Sequence, residues 1–351
     1  MGTAVTTKAK SSVISTHAFV GTVHRIALIG SVATFFLIII GGLVTSKGVG
    51  MSVPDWPTTY GYNMFLFPYS KWVGGIFWEH SHRLLASGIG LITLVLAGVT
   101  FWKEKRSWVK WLAVAAVLGV IAQGILGGLR VTLYKDQIGI FHAALAQSFF
   151  GLLLVITAVT GREFLCGSWF ADKVAASLRW LVLAGLILTY FQLGVAATIR
   201  HQHAPLAIRD FPTAYGTLIP DTSDSALARI NGKRANDQMA PVSASQIYLQ
   251  LLHRAGAVVL LLIVISTALL AVARTPLGHW IRAWSLLWVG AILLQVLLGA
   301  ITIWSNKAAD VATSHMALGA LLTAFGILFT FRLFCAASEL PDPSHSAGVR
   351  S

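Results

Sequence analysis

Eight long apolar stretches alternate with polar segments along the chain, at roughly residues 26–45, 79–101, 110–131, 139–160, 179–199, 247–272, 284–303 and 312–334. Each is near the ~20 residues that a bilayer core requires of a spanning helix. Only α-helices and closed barrels satisfy their backbone in lipid, and runs this long and continuous are helices. The pattern predicts an all-α polytopic membrane protein with eight transmembrane helices.

The stretches form two sets of four. His82-Arg83 opens the second stretch of the first set, and His253-Arg254 opens the second stretch of the other. A Gln-x-x-x-Gly segment follows in each (Gln123 to Gly127, Gln295 to Gly299), and then a lone histidine opens the next stretch, His142 or His315. The period is about 170 residues (253 − 82 = 171; 315 − 142 = 173), far beyond solenoid repeats. After the first stretch comes Asp55-Trp56-Pro57-Thr58-Thr59-Tyr60-Gly61, and after the fifth comes Asp210-Phe211-Pro212-Thr213-Ala214-Tyr215-Gly216. Their Pro, Gly and aromatic content predicts folded caps. An even number of helices per copy makes the repeat parallel, about an axis along the membrane normal. The expected organisation is two pseudo-symmetric four-helix bundles, 26–160 and 179–334, a linker at 161–178 and tails at 1–25 and 335–351. The polar stretch 217–246 reads as a partly mobile insertion.

Composition agrees: 56% of residues are hydrophobic and 11% are charged, too few charges for a soluble domain. The net charge of +13 is spread over loops and does not point to nucleic acid. Lys103, Lys105, Arg106, Lys110, Arg162, Lys173, Arg179, Arg274 and Arg282 fall on one side, and the short loops opposite carry only Lys135 and Lys307. The positive-inside rule then places both termini in the cytoplasm. The N-terminal region lacks an A-x-A-like cleavage site, so no removable signal peptide is expected. The two cysteines, Cys166 and Cys335, fall on the cytoplasmic side, where thiols stay reduced.

The four repeated histidines all stand near the extracytoplasmic ends of their helices, two per half and on different helices. Two neutral imidazoles facing across a bundle can clamp a haem iron from both sides. A histidine that only bonds a neighbouring helix is the alternative for any one of them. Zinc fits less well, because its spacing signatures are absent. Arg83 and Arg254 admit two readings, a bidentate partner for a haem propionate or a side chain reaching to the interface. Glu79 stands one helical turn before His82 and on its face. It is either a solvated interfacial carboxylate or a group placed to exchange protons with a bound substrate. Gln250 occupies the matching place, so the halves are expected to differ in chemistry. His80 lies off the His82 face, while His201 and His203 stand where they can assist electron or proton transfer. His17, His24, His279 and His345 read as tail or surface residues.

Together these residues resemble the haem A synthase family. The resemblance spans about residues 26 to 334. It rests on Gly41-Gly42-Leu43-Val44-Thr45, Pro54-Asp55-Trp56-Pro57, Glu79 to His82-Arg83, Gln123 to Gly128, His142, His253-Arg254 and His315. It implies a resident haem b held by His253 and His315, with Arg254 beside it, in the C-terminal bundle. It implies that the substrate, haem O, is held by His82 and His142 beside Arg83 in the N-terminal bundle, so that these four histidines are the axial ligands of haem iron. The matching glutamate, Glu79, is the family's catalytic carboxylate. The reaction oxidises a porphyrin methyl group to a formyl group, through an alcohol and a hydrate, giving haem A for terminal oxidases. A haem O synthase and an electron acceptor are the partners this implies; the electron acceptor, the oxygen source and homo-oligomerisation are left open. Some members carry a cysteine pair in the first extracytoplasmic loop; residues 46–78 contain none, so this chain resembles the type without it.

A di-haem b-type electron carrier is the alternative function. Such a carrier would place its haems at opposite membrane faces, whereas the four histidines here share one level. A parallel-repeat transporter is a third class, but no paired Gly/Pro interruption marks a midplane site.

Overall fold

The computed structural model describes residues 3–170, 174–202 and 204–336, with side chains from residue 21 onward. Its eight long helices follow the eight apolar stretches: α1 (Thr3–Ser46), α2 (Gly74–Lys103), α3 (Ser107–Thr132), α4 (Ile138–Val159), α5 (Ala176–His201), α6 (Ala244–Arg274), α7 (Trp280–Trp304) and α8 (Ala309–Ala336). All eight are long and apolar enough to cross a membrane, α1 through its segment Gly21–Ser46. Outer faces carry large apolar side chains such as Trp111, Leu262 and Leu269. Many buried hydroxyls bond within their own helices, as when Thr93 donates to the Ile89 carbonyl and Thr267 to that of Ile263. Such internal satisfaction is what an apolar solvent demands.

The helices form two rings. α1 packs on α2 and α4, and α3 packs on both α2 and α4; α5 to α8 repeat the arrangement. Between the rings, α1 meets α8 and α4 meets α5, two contacts that exchange under the internal repeat, while α4 meets α8 along the pseudo-twofold. One end of each ring is packed solid. In the second ring Trp288, Phe329, Val182, Val264 and Leu333 fill the interior; in the first, Val23, Leu96, Leu153 and Ile156 do so. The opposite ends, under the two long loops, stay open inside.

Two segments differ from expectation. The helix α1 runs back to Thr3 through the segment read as a tail, which contains no Pro or Gly between residues 3 and 20. The polar stretch 217–246 contains a helix, Asp224–Asn236, whose N-terminus is capped by the Ser223 hydroxyl. Its two large apolar residues, Leu227 and Ile230, pack with Ile208, Ala214, Val242 and Ile247, and Ala226 on the same face is buried. A 3.6-residue apolar stripe this sparse is hidden by polar composition. Just beyond it, Ser243 and Gln246 form a reciprocal capping box that starts α6.

Candidate functional site

Both long loops fold to one design. Asp55 accepts hydrogen bonds from the backbone N–H groups of Tyr60 (2.7 Å) and Gly61 (2.8 Å) and from the Thr58 hydroxyl (2.6 Å). Asp210 does the same with Tyr215, Gly216 and Thr213. Each carboxylate closes a two-residue turn in which Tyr60-Gly61 and Tyr215-Gly216 all have positive φ, the geometry of a type I′ turn. Burial opposes ionisation of both aspartates, but the three donors around each outweigh it and hold its carboxyl below the usual carboxylate value. Tyr60 donates to the Ser52 carbonyl, and Tyr215 to that of Ala207.

Arg83 and Arg254 tie these loops to the bundles. Arg83 donates to the carbonyls of Val53 (2.8 Å), Asp55 (2.6 Å) and Thr58 (3.2 Å). Arg254 donates to those of Asp210 (2.8 Å) and Thr213 (2.8 Å). Neither of the two roles weighed from the sequence includes this clasp; both arginines line the cavity described below, with their end nitrogens engaged by loop carbonyls.

Glu79 is 4% exposed, so it is not a solvated interfacial residue. Its Oε1 pairs with Arg83 at 2.8 Å and its Oε2 accepts the Val53 N–H at 3.0 Å. Gln250 repeats the second contact, accepting the Ile208 N–H at 2.6 Å, and adds its own amide donors to the carbonyls of Pro205 and Ile208. The two positions thus share one backbone contact and differ in charge and in their remaining partners.

Beneath the loops lies a cavity of about 1430 Å³ lined from both halves. That exceeds the ~300–1,000 Å³ of a pocket for one drug-sized ligand. His82, His142, His253 and His315 all line it, as does Glu79. The rings of His253 and His315 stand nearly perpendicular, at 82°, with centroids 6.5 Å apart, a separation that one metal atom with imidazole bonds of about 2 Å on each side would span. Three glycines seat imidazoles. A Cβ on Gly41 would stand 2.9 Å from His82, one on Gly127 would stand 3.4 Å from His142, and one on Gly299 would stand 3.1 Å from His315. The Gln-x-x-x-Gly segments thus serve the histidines, and their glutamines complete the job. Gln123 donates to the His142 carbonyl and Gln295 to the His315 carbonyl, each at 3.0 Å. Gly128 packs instead on the Trp56 ring.

Residues the sequence reading passed over also face this space. Arg130, Arg200 and Lys307 line it. Arg130 pairs with Asp136 at 3.0 Å, and Arg200 crosses between the halves to the Gly42 carbonyl and the Ser46 hydroxyl of α1. Burial, with the nearby Arg200 charge, pushes the Lys307 ammonium below its usual value. Positive charges outnumber the single lining carboxylate, Glu79, and Glu79 is already paired. Only a helix wheel combined with loop register would have gathered these cations, which are scattered over α3, α5 and a loop.

Among the other histidines, His201 lines the cavity and packs against Gly139. His203, His17 and His345 lie outside the described side chains. His80 is fully buried, bonds the Thr59 hydroxyl through Nδ1 at 3.2 Å and sits against Phe67 and Trp72. Its work is to pin the first loop. His24 bonds the Thr157 carbonyl of α4 at 2.8 Å, so it is part of the bundle rather than a tail residue.

The fold and site define a class, a duplicated polytopic membrane protein whose halves each present a histidine pair to a shared, positively lined cavity. The sequence profile of the COX15-CtaA family, described as cytochrome oxidase assembly protein, matches residues 24–327. The chain belongs to that family. It is similar to the protein named Heme A synthase of Shewanella oneidensis (26% identical over 312 residues, covering 83% of this chain and 90% of the relative). The Heme A synthases of Bacillus licheniformis (26% over 315 residues, 89% and 95%) and Shouchella clausii (26% over 245 residues, 69% and 73%) are comparable.

Proposed function

We propose that the protein is a haem A synthase, oxidising a methyl group of haem O to a formyl group. The observation that carries this reading is the asymmetry of an otherwise matched pair of sites. Each half offers two imidazoles to the cavity, and only the first half adds a carboxyl group beside them. In this reading His253 and His315 hold a resident haem b, which supplies one-electron redox chemistry when bound. His82 and His142 hold the substrate, haem O.

The residues suit such groups. The donors are imidazoles, the walls are apolar, and the cations Arg130, Arg200 and Lys307 complement two propionates. Glu79 is the group that takes and returns protons as the methyl carbon is oxidised. Arg83 holds it by one oxygen and Val53 N–H by the other, so it acts from a fixed position. Arg83 and Arg254 keep the loops closed over the cavity and exclude water. The termini lie in the cytoplasm and the cavity near the opposite face. A haem O synthase and an electron acceptor are the expected partners.

The test is haem extraction and pyridine haemochrome analysis of the purified protein, made with and without a co-expressed source of haem O. Haem A appearing only with that source is expected. Haem b alone under both conditions would favour an electron carrier, and no haem at all would overturn both.

A further inference from the structure

The two histidine pairs differ in what holds their second ring nitrogen. His253 Nδ1 stands 3.0 Å from Gln192 Oε1 of α5, while Gln192 Nε2 donates to the His253 backbone carbonyl at 2.8 Å. A carbonyl only accepts, so the amide's NH₂ end must face it. The amide oxygen then faces Nδ1, which must carry the proton. His253 is thereby held with Nε2 unprotonated and turned to the cavity. His315 reaches the same state, because its Nδ1 faces the Gln295 carbonyl at 3.1 Å. In the first half, Nδ1 of His82 and Nδ1 of His142 are buried with no hydrogen-bond partner among the described residues.

The cause is written in the repeat. Thr34-Phe35-Phe36-Leu37 aligns with Thr189-Tyr190-Phe191-Gln192, in the register that aligns Asp55 with Asp210. Leucine thus stands in the first half where glutamine stands in the second. Space for the amide comes from Gly256, on which a Cβ would run into Gln192. The first-half counterpart of Gly256, two residues after Arg83, is Leu85. Gln192 is 7% exposed, and both ends of its amide are engaged by His253.

We propose that Gln192 is a positioning residue for the resident-haem site. It fixes the tautomer and orientation of His253 and makes its Nε2 a stronger iron ligand. Leucine at position 37 leaves His82 without that support, so the first site releases its haem as a substrate site must. This rests on the assignment of the resident haem to the second half. An acceptor on the distal imidazole nitrogen raises ligand basicity, and loss of such a partner typically costs 10–100-fold in metal affinity.

The experiment uses full-length protein purified with its haem b: wild type, Gln192→Leu, Gln192→Glu and Gly256→Ala. Two quantities are read, the rate of haem b transfer to excess apomyoglobin and the midpoint potential of the bound haem. Gln192→Leu is expected to speed transfer about 10–100-fold. It should also raise the potential by an amount equivalent to a tenfold loss of ferric over ferrous preference, about 59 mV for one electron. Gln192→Glu, with a stronger acceptor, should lower the potential, and Gly256→Ala, which displaces the amide, should move it the way leucine does. A merely structural role would weaken retention without moving the potential in opposite directions for Leu and Glu. Unchanged transfer and potential across the series would overturn the proposal. If Gln192→Leu fails to fold, the Glu and Ala variants decide it. Full haem b retention after His253→Ala would instead overturn the assignment of the halves.

Discussion

Glu79→Gln isolates chemistry from structure, because the second half already contains its product. There, Gln250 accepts the Ile208 N–H as Glu79 accepts that of Val53, and Arg254 serves its loop with no carboxylate beside it. A glutamine at 79 keeps the backbone contact through its single carbonyl oxygen, while its NH₂ end then faces Arg83 and no longer accepts from it. What it loses is the charge-assisted hydrogen bond to Arg83, worth about 1.5 kcal/mol or somewhat more. Arg83 is not stranded, since three loop carbonyls still accept from it. Glu79→Ala is different. It orphans the buried Val53 N–H, at about 1–3 kcal/mol, and removes one partner of a buried ion pair, a change that costs about 3–5 kcal/mol where nothing else compensates. With the carbonyls compensating in part, a total of about 3 kcal/mol is expected. A positioned acid–base group contributes about 10²–10⁴ in rate. Glu79→Gln should therefore form haem A at least about a hundredfold more slowly while binding haem normally and losing less stability than Glu79→Ala. The assays are chromatography of extracted haems, haem content and thermal unfolding in detergent. Haem A formation within a few-fold of wild type would refute the proton-transfer role. A stability loss in Glu79→Gln as large as that in Glu79→Ala would refute the equivalence of the halves.

The cationic lining gives a second expectation: Arg200→Gln should weaken binding of added haem about tenfold or more, yet leave binding of its dimethyl ester little changed, as a spectrophotometric titration would show. Gly128→Ala brings a Cβ to 2.5 Å from the Trp56 ring and should cost about 1–3 kcal/mol by overpacking, whereas Gly124→Ala, with open space around it, should unfold within about 0.5 kcal/mol of wild type. The loop aspartates predict the response to acid. Their folded-state carboxyls lie below the usual value, so they add stability above the unfolded-state value, and that stability is lost as pH falls through the depressed one. Unfolding followed from pH 7 down to pH 3 should therefore steepen at the acid end, and the Asp55→Asn/Asp210→Asn double variant should flatten the curve.

Much of this was readable in sequence because lipid simplifies the code. Eight apolar runs of the right length admit hardly anything but eight helices, and a repeat of 171 to 173 residues between matching histidines fixes the parallel duplication. Glu79 against Gln250 is visible once the two His-Arg segments are aligned. What sequence did not reveal depends on which atoms meet across the bundle. Arg83 and Arg254 belong to a repeated His-Arg dipeptide, and nothing in that spacing says the guanidinium turns to loop carbonyls 25 to 44 residues away. Gln192 sits in an apolar run without any local pattern, and only its alignment with Leu37 singles it out. Helix Asp224–Asn236 was masked by its own polarity, its apolar face being only three residues deep.

The halves diverge by two kinds of substitution that act on different properties. Glu79 in place of glutamine adds a group that can exchange protons, without moving the backbone that carries it. Leu37 and Leu85 in place of glutamine and glycine remove the partner that fixes a histidine, again without moving the helices. In the proposed reading, one change makes the first site reactive and the other makes it labile. A substrate site needs both, since a product held by braced imidazoles would not leave, and a labile site without the carboxylate would bind haem without changing it. Converting the first half to the second should thus take separate steps with separable effects. Leu37→Gln with Leu85→Gly should slow haem release from the first site while leaving Glu79 in place, and Glu79→Gln should abolish oxidation while leaving release fast. Parallel behaviour of the two variants in both assays would show that reactivity and release are not independently encoded.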